Sequence, residues 1–282
     1  MTRNVDSKVA QGFGDEWSAF PQSEDRLTPG ERRTLFDSYF GIFPWDRLPA
    51  DSVGLDAGCG SGRWSAEVAR RVKHLHALDA SADALDVARR NLAEFRNVSF
   101  HHASIDEIPL PPQSLDFAFS LGVLHHVPDT QTALASIADK LKPDAPFLVY
   151  LYYAFDNRPS WYRLLWAPSN LLRGVISRSP HALRFAVSQM IAALVYWPLA
   201  HLSALLERAS MPVRNFPLSY YRDKSFYVMR TDAYDRFCTR LEKRFTRREI
   251  EAMLIRNGFH DVVFSENEPY WCAVAYRDRV RA

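Results

Sequence analysis

Gly58, Gly60 and Gly62 stand at every second position directly after a short apolar run, residues 53–57, that carries one acidic side chain, Asp56. A strand ending in such glycines can bend sharply and bring its backbone close to a ligand, because no Cβ stands in the way. The polar run 63–71 can then start a helix. A second carboxylate, Asp79, follows Gly58 by twenty-one residues at the end of another strand-like run, 74–78. In a doubly wound α/β sheet this is the spacing at which an acidic side chain meets both ribose hydroxyls of a nucleoside cofactor.

A dinucleotide fingerprint would need its third glycine at position 63, which is Arg63; here it falls at Gly62. Strand and helix patterns alternate onward from this loop. Strands are expected at 53–57, 74–78, 97–101, 115–121 and 146–152, and helices at 63–72, 82–95 and 130–141, with Leu85, Ala88, Leu92 and Phe95 on one face of the second. Continuous apolar runs such as 146–152 indicate parallel strands buried on both faces. After a long interruption, 246–257 reads as a helix with Thr246 as N-cap, Glu249 three residues on and Gly258 beyond its end. Strands at 259–264 and 270–276 follow.

The string Asp56-Ala57-Gly58-Cys59-Gly60-Ser61-Gly62 resembles motif I of the class I S-adenosylmethionine-dependent methyltransferases. The resemblance covers roughly residues 48–153 and 245–276. It implies a doubly wound, Rossmann-like α/β sheet of seven strands, mostly parallel with an antiparallel last strand, a helical insertion after strand 5, and S-adenosylmethionine as cofactor. Asp56, Ala57, Gly58, Cys59 and Gly60 would line the methionine end of that cofactor, Asp79 would hold the ribose, and Ala80 and Ser81 would lie beside the adenine. Matching Ile108-Pro109 to the usual Leu-Pro puts Ser104 and Ile105 at the adenine edge. Many relatives carry an aspartate where Ser104 stands, so a modest cofactor affinity is expected here.

Residues 115–120 resemble the family's fourth strand, and Leu121-Gly122-Val123-Leu124-His125-His126-Val127 the loop after it. Leu121 joins the expected cofactor contacts. His125 or His126 would sit near the transferred methyl, where an imidazole can take a proton from an acceptor hydroxyl; the alternative for either ring is to cap the next helix or bond to backbone. Residues 1–47, with an aromatic cluster at Phe13, Trp17 and Phe20 and with Leu35, Phe36, Tyr39 and Phe40 at helical spacing, read as core packing or, by resemblance, as an N-terminal helical lid. No ligand spacing suggests a metal site. His74 and His76 read as strand surface.

With 282 residues, 47% apolar, the chain can bury a full core, and a net charge of +2 carries no mandate for nucleic acid. Cys59, Cys238 and Cys272 are scattered, which fits a reducing, cytoplasmic setting, and residues 1–20 show no signal-peptide pattern. The stretch 155–244 is too long for a structureless loop and is expected to be a helical, substrate-binding insertion beside a core at 48–154 and 245–282. Nine Arg and Lys against three acidic residues (Asp156, Glu207, Asp223) frame it between 155 and 225, and residues 185–206 carry no charge. Two helices forming a hydrophobic lid are expected there, broken at Pro198; a membrane-surface helix pair and a true span are the alternatives. The expected activity is methyl transfer, at oxygen by preference, to a small-molecule or lipid-linked acceptor, with residues 155–225 as the candidate for peripheral contact at the inner face of a membrane. A nucleic-acid methyltransferase and a non-catalytic, cofactor-binding regulatory protein are the competing readings, and absence of an Asn-Pro-Pro-Tyr-type tetrapeptide after strand 4 counts against the first.

Overall fold

The computed structural model describes residues 4–23 and 26–279. Residues 1–3 and 24–25 of the expected lid and 280–282 of the expected core lie outside the described residues. The chain divides into two compact units, residues 1–154 with 241–282, and residues 155–240. Residues 241–244, expected in the insertion, belong to the first unit: the Lys243 amide donates to the His125 carbonyl, and the Phe245 amide to that of Tyr152.

In the first unit, β1 (Val53–Ala57), β2 (His74–Asp79), β3 (Val98–His102), β4 (Phe117–Leu121), β5 (Pro146–Tyr150), β6 (Phe259–Phe264) and β7 (Cys272–Arg277) form one sheet in the order 3-2-1-4-5-7-6. The first five pair in parallel, and β7 runs antiparallel to both β5 and β6. The order reverses beside β1, so the ends of β1 and β4 flank the crevice in which ligands of such sheets bind. Strand β5 ends at Tyr150, two residues before the apolar run does, and the chain continues as Leu151-Tyr152-Tyr153 along the segment that pairs with Phe245.

One sheet face packs Leu55, Ala57, Phe147 and Val149 against α5 (Thr130–Lys140) and α10 (Arg247–Arg256), through Leu134, Ile137, Ile250 and Leu254. On the other, α3 (Arg63–Ala69) and α4 (Ala82–Asn91) bring Ala66, Leu85, Ala88 and Leu92 onto Ala77 and Cys59, with Phe95 packed alongside. Two helices precede the sheet, α1 (Ser7–Ala19) and α2 (Pro29–Phe40). Asp6 caps α1 by accepting from the Lys8 and Val9 amides, and Thr28 caps α2. Helix α2 stacks Phe36 on Phe40 at 4.3 Å, and Phe40 meets Phe119 of β4 at 5.3 Å. The reciprocal Thr246–Glu249 cap of α10 is present as the sequence spacing suggests.

The second unit contains α6 (Ser160–Ile176), α7 (His181–Ile191), α8 (Trp197–Arg208) and α9 (Phe226–Cys238). Helices α7 and α8 are joined without a break by a π-helical turn, Ala192–Tyr196, giving one helix over His181–Arg208. This corrects the expected break at Pro198. The proline sits in the first turn of α8, immediately after the wider π turn, where its missing N–H and its ring can be accommodated. The large side chains of this helix point outward: Leu194 is 73% exposed, whereas Ala192, Ala200 and Ser203 are buried.

Candidate functional site

The glycine loop is fixed from below by β2. The amides of Gly58 and Cys59 both donate to the Leu78 carbonyl, at 2.8 and 2.9 Å. Gly60 takes φ +53°, and a Cβ there would lie 2.9 Å from Nε1 of Trp17. The Gly60 amide donates to Oδ2 of Asp79 and the Ser81 amide to Oδ1, each at 2.9 Å, so the carboxylate at the end of β2 is held facing the loop. Each oxygen retains a lone pair for a ligand hydroxyl. Burial pushes the Asp79 carboxyl above the usual carboxylate range, against the lowering effect of these amides. Ala80 follows at the strand end, and its carbonyl meets the His102 ring at 3.2 Å.

Asp56 does not face the loop opening. Its side chain is buried, and Ser65 of α3 donates its hydroxyl to Oδ2 at 2.6 Å, so the carboxylate braces the helix behind the glycines. Burial is the main cause that pushes its carboxyl up to about 7. Ala57 contributes its carbonyl to the Ser120 hydroxyl at 2.7 Å, and the Cys59 thiol is buried beneath the loop. Ile105, expected at the adenine edge, sends its side chain into the main core. Ser104 is buried and donates its hydroxyl to Asp106, a residue the sequence reading passed over. The other oxygen of Asp106 accepts from the Asn4 amide.

Leu121 closes β4, and the Gly122 amide returns to the Tyr150 carbonyl at 3.2 Å. Three residues on, His125 is fully buried with its ring against Tyr152 (centroids 3.9 Å apart, planes 29°) and 4.0 Å from the His126 ring. Neither nitrogen of His125 has a hydrogen-bond partner among the described residues. A buried polar group left unpaired costs about 1–3 kcal/mol, so both ring nitrogens carry an unmet hydrogen-bonding demand. Burial, then His126, then Arg244 hold its imidazole well below the ordinary value of 6.5, and the ring stays neutral at physiological pH. His126 is engaged differently, with Nδ1 2.6 Å from the Leu241 carbonyl and its ring against Phe13 at 5.0 Å.

Tyr150 and Tyr152 were not singled out by the sequence reading. Tyr39 of α2 meets Tyr150 at 5.2 Å, and the Arg244 guanidinium lies over Tyr152 at 5.2 Å, so an aromatic wall surrounds His125. The available signal was the cluster Tyr150, Tyr152 and Tyr153 just past a central strand, where crevice-facing groups lie. Helix α1 also reaches the loops, since a Cβ on Gly14 would lie 2.8 Å from Oγ of Ser81. His76 and His101 sit apart from the site, on β2 and β3, with ring nitrogens 3.0 Å from each other. Among the described residues no group of three or more His, Cys, Asp or Glu side chains is arranged to hold a metal ion.

A family model described as a methyltransferase domain matches residues 55–144. An uncharacterized methyltransferase of Mycobacterium tuberculosis is 30% identical over 131 residues, 45% of this chain and 65% of that protein, so the chain spans just under two thirds of the relative's length. A ubiquinone biosynthesis O-methyltransferase of Aromatoleum aromaticum is 36% identical over 91 residues, 32% of this chain and 39% of its own. Among solved structures, the apo form of the S-adenosylmethionine-dependent methyltransferase SibL superposes with a TM-score of 0.53 at 16% identity, covering 88% of this chain and 55% of that one. Matched domain, sheet order and strand-end carboxylate together support a class I S-adenosylmethionine-dependent methyltransferase.

Proposed function

We propose that the protein transfers a methyl group from S-adenosylmethionine to oxygen on a small-molecule or lipid-linked acceptor, with His125 taking the acceptor's proton. The observation that carries this reading is the buried, neutral and unpartnered imidazole of His125, placed after β4 beside Tyr152. The residues present fit the cofactor: Asp79 would accept from the ribose hydroxyls, the Gly58–Gly60 backbone would line the methionine portion, and the Ser104–Asp106 pair would meet the adenine amino group. When bound, the sulfonium supplies an activated methyl with a neutral leaving group, so alignment of the acceptor contributes much of the rate. The protein's own part is to orient the acceptor oxygen against the aromatic wall and to receive its proton at His125. Helix α1, with Gly14 at Ser81 and Trp17 at Gly60, acts as a lid over the cofactor loops.

Oxygen is favoured because relatives carry names of O-methyltransferases, one of ubiquinone biosynthesis and one of malonyl-acyl carrier protein. The insertion at 155–240, which leaves the core after β5, is assigned to the apolar body of the acceptor and to peripheral contact with a membrane at its inner, cytoplasmic face. The test is transfer of labelled methyl into lipid and aqueous extracts. His125→Ala should lower turnover by ~10²-fold or more with cofactor affinity unchanged, since the loss is confined to the transition state. Because the ring is held neutral, the acidic limb of the wild-type pH–rate profile should fall below pH 6.5 and vanish in the variant. Undiminished turnover in His125→Ala would remove this residue from the chemistry.

A further inference from the structure

The second unit is packed with small side chains inward and large apolar ones outward. Ser188, Ala192, Ala200 and Ser203 are buried on the inner face of the long helix, where Ala192 and Ala200 join Tyr196 against Met229, Ala233 and Phe237 of α9. Its outer face carries Leu183, Met190, Leu194, Trp197, Leu202 and Leu205, all exposed, with no exposed charged side chain between Leu183 and Leu205. Helix α6 repeats the pattern with Leu164 74%, Leu171 75% and Val175 65% exposed. An uncharged outer face of this length on two helices exceeds what a protein surface leaves in water without a partner. The basic excess around it, nine to three between 155 and 225, is complementary to an anionic surface.

We propose that this face of α6 and of the His181–Arg208 helix docks on an anionic lipid leaflet, lying in the plane of the interface. Spanning is opposed by α9, which runs beside both helices. Arg230 of α9 donates to Gln189, near the middle of the long helix, and Arg236 of α9 donates to Ser169, near the middle of α6. A span would carry both guanidinium groups toward the bilayer centre, where a charge is strongly disfavoured. In-plane docking buries the leucines at the depth of the headgroup boundary and leaves α9 in water. The exposed basic residues Arg163, Arg178, Arg208 and Arg214 then stand at the ends of the apolar face, where phosphate headgroups can meet them. The proposal refines the acceptor reading above but needs neither turnover nor cofactor.

Flotation of the full chain with phosphatidylcholine vesicles, and with vesicles that also contain phosphatidylglycerol, tests it at low and high salt. Binding is expected to the mixed vesicles and to weaken with salt, because the basic residues near the surface are screened. Leu171→Glu and Leu194→Glu, both on exposed positions, should each lower the bound fraction more than ~10-fold by placing a charge where an apolar side chain is inserted. Calorimetric cofactor binding by the same variants separates this claim from the methyltransferase reading: loss of flotation with cofactor binding intact is the expected result. Ser179→Cys and Ser210→Cys flank the long helix and report its orientation. Labelling of both by a membrane-impermeant maleimide outside sealed vesicles supports in-plane docking, and labelling of only one establishes a span and overturns it. The proposal also fails if the wild type does not float, if the glutamate variants float equally, or if sedimentation shows a dimer that they dissociate in place of lipid binding.

Discussion

At Asp79 two amide donors hold a carboxylate whose titration burial pushes upward, so the loop it helps to shape works against the effect of burial. Asp79→Ala should weaken cofactor binding by ~100-fold or more, because two charge-assisted bonds at ~1.5–3 kcal/mol each are lost; wild-type affinity by calorimetry would displace the ribose assignment. Asp56 presents the opposite case, an acidic side chain buried against the hydroxyl of Ser65. Its folded value of about 7 lies above the unfolded value of 3.8, so the fold binds the proton more tightly than the open chain does. The stability associated with it is therefore complete below pH 3.8 and is lost as the pH rises through 7. Asp56→Asn removes that dependence, and the gap between variant and wild type should widen in the variant's favour by on the order of 4 kcal/mol between acid and pH 8. Urea unfolding at several pH values measures it, and parallel curves would show that Asp56 does not titrate this way. The sequence alone made these two carboxylates look alike, since each stands at the end of a strand-like apolar run. What separates them is Ser65, which lies nine residues from Asp56 and becomes its partner only when α3 folds back against β1.

Elements whose ends are written in local chemistry were legible: Thr246 with Glu249 marks the start of α10, and the apolar runs mark β1, β2 and β5 within one or two residues. Those defined by long-range packing were not. Nothing local to α1 says that Gly14 will meet Ser81 or that Trp17 will cover Gly60, because sixty-seven and forty-three residues separate the partners. The π turn escaped for a related reason: Pro198 signals a break in any local reading, yet one wider turn before it lets the helix continue. The lid role of α1 has a sharp test in its two glycines. A Cβ at Gly14 would press on Ser81, whereas at Gly12 it would meet nothing within 4 Å. Gly14→Val should therefore lift α1, lower cofactor affinity by about tenfold and speed hydrogen exchange along the helix, while Gly12→Val, which carries the same change in helix propensity, leaves affinity unchanged. Equal effects of the two substitutions would mean that α1 is core packing with no lid role.

For the whole molecule, the division at 154 and 240 separates two kinds of surface in one chain. The first unit buries its large apolar side chains around the sheet and carries the cofactor loops, whereas the second exposes leucines and concentrates basic charge. Composition over 282 residues hides this, since a net charge of +2 averages a local excess of +7 in residues 155–240 against a deficit of five elsewhere. The core is tied together on either side of the insertion: the Ala154 amide donates to the Phe245 carbonyl at 2.9 Å, and the Phe245 amide to that of Tyr152 at 2.8 Å. Because this pairing holds the chain ends close, a short Gly/Ser linker in place of residues 155–240 should leave the sheet, Asp79 and His125 in place. The shortened chain is expected to bind S-adenosylmethionine with the affinity of the full chain, to unfold cooperatively, and to lose methyl transfer to lipid-extract acceptors by ~10²-fold or more, the scale of a lost positioning contribution. Calorimetry and methyl-label counting on the same preparation read both halves. Retained transfer at the full rate would take the acceptor site away from the insertion and place it within the first unit, on the wall that Tyr39, Tyr150 and Tyr152 build around His125.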